Sequence, residues 1–140
     1  MSITQISPAL GTFDTIVMYG NNFGLFGSAG RAHRLLRRFH KMTSPDARII
    51  AESNDPYPRK GVAVHPVHLE YHQFNRRRGR LSGQLRIRVR YAKHVTPWFD
   101  YLLVSKEEMR RIVAGTGWRV ARFFDTGKSL YVAVLEKEKS

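Results

Sequence analysis

The segment from Phe13 to Ala51 constrains the fold most, because two apolar runs flank a glycine-rich loop and an amphipathic stretch. The first run, FDTIVMY, is continuously apolar at Ile16, Val17 and Met18, which is typical of a strand covered on both faces in a parallel sheet. The next eight residues, GNNFGLFG, include three glycines and therefore predict a loop with special backbone geometry. The second run, ARIIA, predicts another short strand.

The residues between the loop and the second run have the period of an amphipathic α-helix. Ser28 stands at the N-cap position, and Pro45 with Asp46 is expected to end the helix. Apolar residues recur at i, i+3, i+4 and i+7, namely at Ala32, Leu35, Leu36 and Phe39. Strand, helix and strand within residues 13–56 predict a βαβ unit, which needs a crossover of right-handed sense.

Residues 57–97 have a different character and predict an inserted, basic, β-rich arm. In QLRIRVRY, at 84–91, apolar residues alternate with three arginines, which indicates a half-exposed antiparallel strand with the arginines on one face. The expected partner of this strand is the stretch 69–74, joined to it by a basic turn that contains Gly79.

Three histidines at the start of the arm, His65, His68 and His72, have a spacing that a helix would gather into a cluster of metal ligands. Pro66 and the β-branched residues near it argue against a helix at this place. A strand or a loop would not bring the three side chains together. We therefore expect no metal site.

Residues 98–140 predict a strand, a helix and a closing hairpin. WFDYLLV is an apolar strand, and Ser105 with Glu108 is the signature of a capping box at the start of a helix. The runs 118–124 and 129–135 flank the turn sequence DTGK and predict the hairpin. Four aromatic residues of this part are expected in the core: Trp98, Phe99, Trp118 and Phe123.

Composition limits the classes of function. The chain has 140 residues, no cysteine and a formal net charge of +13, so a disulfide framework and a thiol nucleophile are excluded. No apolar run reaches the ~18 residues of a membrane span, and the start lacks a signal-peptide pattern, so we expect a cytoplasmic protein without a membrane partner. The charge favours polyanions such as nucleic acid, although a solvated arginine-rich face is an equally good explanation.

The order of these pieces resembles the C-terminal half of a class I S-adenosylmethionine-dependent methyltransferase. FDTIVMYGNNFGLFG resembles the fourth strand and its loop, RIIAESNDPY the fifth strand, and GTGWRVARFFDTGKSLYVAVLEK the last helix exit and the terminal hairpin. The resemblance covers residues 13–137. It implies an α/β fold with a partial Rossmann-like sheet, mostly parallel with an antiparallel terminal hairpin, and the full strand order 3-2-1-4-5-7-6.

The chain departs from this family in one respect that bears on activity. The family holds its cofactor mainly by a glycine-rich loop after the first strand and an acidic residue after the second, and neither is present. Residues 1–140 are therefore expected to be a single half-domain, truncated or split, that is inactive alone. The resemblance implies S-adenosyl-L-methionine as the cofactor of the completed enzyme, with no tight binding to this chain. The expected partner is a second copy, as in a homodimer, or a complementary N-terminal half-chain.

By resemblance, the loop after the first strand lies beside the methyl donor and the methyl acceptor. Gly20 and Asn21 are expected to contact the cofactor, and Asn21, Asn22 and Asp55 are candidate catalytic residues. Glu52 is a further candidate for the acceptor pocket. The alternative is that the glycines and asparagines form an ordinary turn into the helix, and that the two acidic residues only cap or turn.

The basic arm supplies the candidate residues for an acceptor or a nucleic acid. Arginines provide phosphate contacts and aromatic rings between them provide stacking, which is the pattern of a nucleic-acid surface. The alternative is a solvated arm whose arginines pair with Glu70 and Asp100. The candidates are Tyr71, Asn75, Arg76, Arg78, Arg86, Arg88 and Arg90.

Overall fold

The computed structural model describes residues 2–58 and 65–139. Short 3-10 turns at Ile3–Gln5, Pro8–Leu10 and Asn22–Phe26 accompany the regular elements. In chain order, these elements are β1 (Phe13–Met18), α1 (Ala29–Lys41), β2 (Thr43–Asn54), α2 (Pro66–Arg77), β3 (Gln84–Ile87), β4 (Arg90–Tyr91), β5 (His94–Val95), β6 (Phe99–Leu102), α3 (Lys106–Val113), β7 (Trp118–Asp125) and β8 (Leu130–Lys137).

The main sheet has four strands in the order β1-β2-β8-β7. β1 and β2 are parallel, whereas β8 lies antiparallel between β2 and β7. This is the 4-5-7-6 part of the expected strand order, with its antiparallel terminal hairpin. The predicted α/β fold class is confirmed, and the strand–helix–strand unit of residues 13–56 forms as expected.

Helices α1 and α3 cover one face of this sheet, and local signals define both. The Ser28 hydroxyl accepts a hydrogen bond from the Arg31 amide at 3.2 Å, which caps α1. The predicted capping box of α3 is also present, because the Ser105 hydroxyl accepts from the Glu108 amide and the Glu108 carboxylate accepts from the Ser105 amide. The apolar sides of the helices pack against Ile49 and other buried sheet residues to form the core.

The opposite face of the sheet has no covering layer within residues 2–58 and 65–139. Val17, Ile50 and Val134 lie side by side across three strands, on the face opposite the core residues Met18 and Ala51. The Val17 side chain is 52% exposed, so the expectation that β1 is covered on both faces is not met in this chain. The sheet therefore presents a bare apolar strip.

The arm is built differently from the prediction. Residues 69–74 belong to the 12-residue helix α2, and β3 pairs antiparallel with β6, so the predicted hairpin between 69–74 and 84–91 is wrong. Pro66 occupies the first turn of α2, where a missing amide hydrogen costs nothing, and the His65 side chain accepts from the Val67 amide. The strand predicted over 84–91 is interrupted after Ile87.

Two further expectations concern the aromatic residues and the membrane. Trp118 is fully buried as predicted, but Trp98 is 54% exposed, so its assignment to the core is wrong. Trp98 lies just before β6, and its ring is contacted by the exposed Arg88 guanidinium. In the part of the chain that the structure describes, no helix has the length and apolar character needed to cross a membrane.

Candidate functional site

The candidate site is the loop that follows β1, at the carboxyl end of that strand. Gly20 and Asn21 both have left-handed backbone conformations, with φ angles of 66° and 63°. Glycine adopts this conformation without a steric penalty, and asparagine is one of the few other residues that tolerate it. Two such residues in succession turn the chain sharply at the end of β1. The backbone amides and carbonyl of the loop can then bond to side chains from other strands.

Glu52 of β2 holds this turn in place. Its side-chain oxygen Oε2 accepts hydrogen bonds from the backbone amides of Gly20 and Asn21, the second at 3.3 Å. The two strands are parallel and in register at Met18 and Ala51, which places Glu52 directly beside the loop. The carboxylate is therefore engaged by the loop backbone, which agrees with the alternative that Glu52 serves a turn.

Tyr101 of β6 holds the loop from the other side. Its hydroxyl donates a hydrogen bond to the Asn21 carbonyl oxygen at 2.6 Å, and its ring lies against Gly24. A Cβ atom at position 24 would come within 2.5 Å of the Tyr101 ring, so only glycine fits there. Burial raises the pKa of Tyr101, which keeps the hydroxyl in its donating form. Sequence interpretation missed this residue, since 80 positions separate it from Asn21.

The rest of the loop forms the Asn22–Phe26 3-10 turn, which anchors it in the core. Phe23 and Phe26 are fully buried and meet edge to face, with their ring centroids 5.0 Å apart. Asn22, by contrast, is exposed at the start of the turn. Asn22 therefore faces solvent, while the buried rings of Phe23 and Phe26 anchor the loop in the core.

Two observations describe the surroundings of the predicted cofactor residues Gly20 and Asn21. The Asn21 side-chain oxygen is buried without a hydrogen-bond partner in the described part of the chain, although buried polar atoms normally have one. A Cβ placed on Gly20 would meet no atom within 4 Å, so open space lies next to the backbone there. Of the two predicted cofactor residues, Gly20 therefore has open space beside its backbone, and Asn21 has a buried side-chain oxygen without a partner.

Asp55 lies just beyond the end of β2, near the start of β8. Its side chain accepts from the Tyr57 amide at 2.9 Å, and its own amide donates to the Ser129 carbonyl oxygen. The Tyr57 hydroxyl in turn donates to the Glu108 carboxylate at 2.9 Å. These contacts describe a turn that links β2 to α3 and β8, and a catalytic role for Asp55 stays a prediction.

His65, His68 and His72 lie on helix α2 or at its N-cap, where the sequence analysis expected no helix, and their surroundings differ. His65 and His68 are exposed, and their ring centroids are 6.3 Å apart. His72 is buried beside Tyr57, with a ring separation of 6.2 Å. Among the described residues, no group of three or more histidine, aspartate or glutamate side chains is arranged to hold a metal ion.

The buried histidine predicts a pH dependence of stability. Burial lowers the pKa of His72, and the charges of Arg76 and His68 lower it further. The unfolded chain therefore takes up the proton at a higher pH than the folded chain, so His72 should destabilise the fold as the pH falls below about 6.5. His72→Gln should lose less thermal stability between about pH 7 and about pH 5 than the parent chain.

Circular dichroism melting curves at the two pH values would measure this difference. His94→Gln is the matched control, since His94 is exposed in the short strand β5. An equal pH dependence in the parent chain and His72→Gln would contradict the prediction.

The predicted arm residues lie in three different settings. Asn75 is fully buried and donates to the Ser82 and Gln84 carbonyl oxygens, so it braces the arm and does not face solvent. Arg86 forms an ion pair with Asp100 at 3.2 Å, and its amide donates to the Tyr71 hydroxyl. The remaining candidate arginines, which are exposed, are Arg76, Arg78, Arg88 and Arg90.

Comparison with known proteins supports the fold on structural grounds. Neither a protein-family model nor a curated protein matches the sequence. A methyltransferase from Bacteroides fragilis in complex with S-adenosyl-L-homocysteine superposes with a TM-score of 0.70 and 21% identity, over 96% of this chain and 51% of that one. The chain has the class I methyltransferase fold.

Two other methyltransferase structures agree with this assignment. The CcbJ methyltransferase from Streptomyces caelestis has a TM-score of 0.62 at 9% identity, over 99% of this chain and 62% of that one. An S-adenosylmethionine-dependent methyltransferase from Clostridium acetobutylicum has a TM-score of 0.60 at 6% identity, over 99% and 63% of the two chains. This chain thus spans about half to three fifths of the length of the three structures.

Proposed function

We propose that this chain is the acceptor-side half of an S-adenosylmethionine-dependent methyltransferase. The observation that carries the proposal is the loop of Gly20, Asn21 and Asn22, held by Glu52 and Tyr101 at the carboxyl end of β1. In open α/β sheets, ligands bind outside the carboxyl ends of the strands. The structural match to methyltransferases over nearly the whole chain supports the same assignment.

The chain's own residues would position the cofactor and the acceptor. Gly20 gives backbone access, and the Asn21 side-chain oxygen is free to accept a hydrogen bond from the bound molecule. When bound, S-adenosylmethionine supplies an activated methyl group to a nucleophilic nitrogen or oxygen of the acceptor. Asn22, exposed at the rim, is proposed to orient that acceptor, and Asp55 to take up its proton.

Cofactor affinity is proposed to require a second set of residues, on the same polypeptide or on another one. The glycine-rich loop and the ribose-binding acid of the family do not occur in these 140 residues. The bare strip of Val17, Ile50 and Val134 is the proposed contact for the part that supplies them. The proposal includes the cytoplasmic location expected from the sequence. The alternative is a noncatalytic subunit that completes another enzyme.

The proposal predicts weak but localised cofactor binding. The 140-residue chain should bind S-adenosylhomocysteine with a dissociation constant of about 1 mM or weaker, because only part of the site is present. Titration of a nitrogen-15-labelled sample should shift the amide signals of Gly20, Asn21 and Asn22. The amides of Gly117 and Glu138, which lie at the opposite edge of the sheet, should not respond.

Asn21→Gly is the matched variant for this titration, because glycine keeps the left-handed backbone and removes the side chain with its acceptor oxygen. It should reduce the shifts at the loop while leaving the melting temperature nearly unchanged. Micromolar affinity would refute the need for a second half. Absence of any shift at the loop would refute the site and favour a noncatalytic subunit.

A further inference from the structure

The tip of the arm is a ribbon in which every residue from 88 to 98 is exposed. Strands β4 and β5 pair through Arg90 with Val95 and Tyr91 with His94. Below them, the Val89 amide donates to the Thr96 hydroxyl at 2.9 Å, and the Thr96 amide donates to the Val89 carbonyl oxygen. The ribbon is therefore an ordered, hydrogen-bonded projection whose side chains contribute nothing to the core.

Large aromatic side chains lie open on this ribbon. Tyr91 is 81% exposed and Trp98 is 54% exposed. Aromatic side chains supply most of their stabilisation when they are buried, so an exposed pair on a projecting ribbon is typical of a surface that contacts a ligand. The Arg88 guanidinium lies over one face of the Trp98 ring, 4.8 Å from its centroid.

The stretch of chain that carries these rings is positively charged. Residues 71–99 contain eight arginines and lysines and no aspartate or glutamate. Within residues 2–58 and 65–139, the ion pair between Arg86 and Asp100 is the only one that involves this stretch. The eight cations are Arg76, Arg77, Arg78, Arg80, Arg86, Arg88, Arg90 and Lys93.

We propose that the ribbon of residues 88–98 binds single-stranded nucleic acid. Bases stack on Tyr91 and Trp98, while Arg88, Arg90 and Lys93 contact the phosphates between them. Stacking on exposed rings beside a basic track is how proteins bind single strands with little sequence preference. The inference does not depend on methyl transfer, because the residues that hold the Gly20–Asn22 loop by hydrogen bonds, Glu52 and Tyr101, lie outside the ribbon.

The test uses a fluorescent oligothymidylate of about twelve nucleotides and measures anisotropy over a range of salt concentrations. Tyr91→Ala combined with Trp98→Ala should weaken binding by about tenfold or more without changing the salt dependence. Replacing Arg88, Arg90 and Lys93 with glutamine should flatten the slope of log affinity against log salt by about two units, at ~0.7 per phosphate contact.

The matched control is the equal charge change on α1, in which Arg34, Arg37 and Lys41 are replaced with glutamine. These cations are exposed on a helix whose aromatic residue, Phe39, is buried. The control should change the slope by less than one unit. All variants alter exposed side chains, so unchanged circular dichroism spectra are expected.

Three results would overturn the proposal. The first is no binding at low salt, and the second is an equal loss in the ribbon and α1 charge variants, which would mean that only net charge matters. The third is binding to vesicles of phosphatidylserine and phosphatidylcholine that competes fully with the oligonucleotide while the aromatic variant binds the oligonucleotide normally. None of these results bears on the cofactor titration, so the two proposals fail independently.

Discussion

Replacing Trp118 with alanine is expected to lower the free energy of unfolding by about 3–5 kcal/mol. The side chain is fully buried, and its indole nitrogen donates to the Leu36 carbonyl oxygen at 2.9 Å, which joins β7 to α1. Truncation leaves a large cavity at this joint and removes the hydrogen bond. Since small domains have only about 5–15 kcal/mol of stability, a large part would be lost. Urea denaturation followed by circular dichroism measures the change.

The control is the same substitution at Trp98. That side chain is 54% exposed on the ribbon, so Trp98→Ala should change the free energy of unfolding by no more than about 0.5 kcal/mol. The chain thus carries one tryptophan for stability and one that we propose for binding. Similar losses for the two variants would contradict both assignments.

The 140-residue chain alone is expected to form a two-fold dimer at micromolar concentration, and Val17→Lys should return it to a monomer. Val17 is the most exposed end of the bare strip and lies beside Ile50, which in turn lies beside Val134, and two-fold symmetry lets this strip cover itself. Near the strip, Glu136 pairs with both Arg48 and Arg119 and so offsets one of their two positive charges, and Arg122 lies beside Val134. The sheet face is thus less repulsive than the basic helix α1 or the arm.

Light scattering would distinguish a mass near twice 16.2 kDa from a single chain of 16.2 kDa. Val67→Lys is the control, because Val67 lies on α2 and is 60% exposed, close to the 52% of Val17. Val17→Lys would bury two charges in the apolar dimer interface, one from each chain, and so weaken the dimer. The lysine of Val67→Lys would stay in water and leave the dimer unchanged. A parent chain that remains monomeric, or equal dissociation of both variants, would argue against this interface.

The dimer and the proposed complementary half use the same strip, so they should exclude each other. A segment that supplies the cofactor loop would cover the edge of β1 and the apolar strip together. We propose that the homodimer is the form of the chain when no such segment is bound. Loss of dimer on addition of such a segment would link the interface to the proposed function.

Elements with local signals were predictable from the sequence. Helix α1 follows its apolar period and its Ser28 cap, and α3 follows its capping box. The hairpin of β7 and β8 forms around DTGK as expected. These elements depend on residues only a few positions apart, so the sequence contains the interactions that define them. The family resemblance extended this to the strand order, of which the sheet confirms the 4-5-7-6 part.

The arm was mispredicted because its sequence is compatible with either a helix or a strand at residues 69–74, and only tertiary contacts decide between them. Pro66 is a helix breaker in the interior but fits the first turn of α2. The alternation around Arg86 does fit a strand, but the partner of β3 is β6, on the far side of the ribbon, rather than the adjacent residues 69–74. Burial of Asn75 against β3 stabilises the helical alternative.

The sequence by itself determined the local elements, the strong positive charge and the place of the glycine–asparagine loop after β1. Only the tertiary structure decided that Glu52 and Tyr101 hold that loop, that the Asn21 side-chain oxygen is left without a partner, and that Trp98 is exposed. The physical reason is distance along the chain. Capping and periodicity act within a few residues, whereas the contacts of the loop join positions 31 and 80 residues apart, which no local pattern encodes.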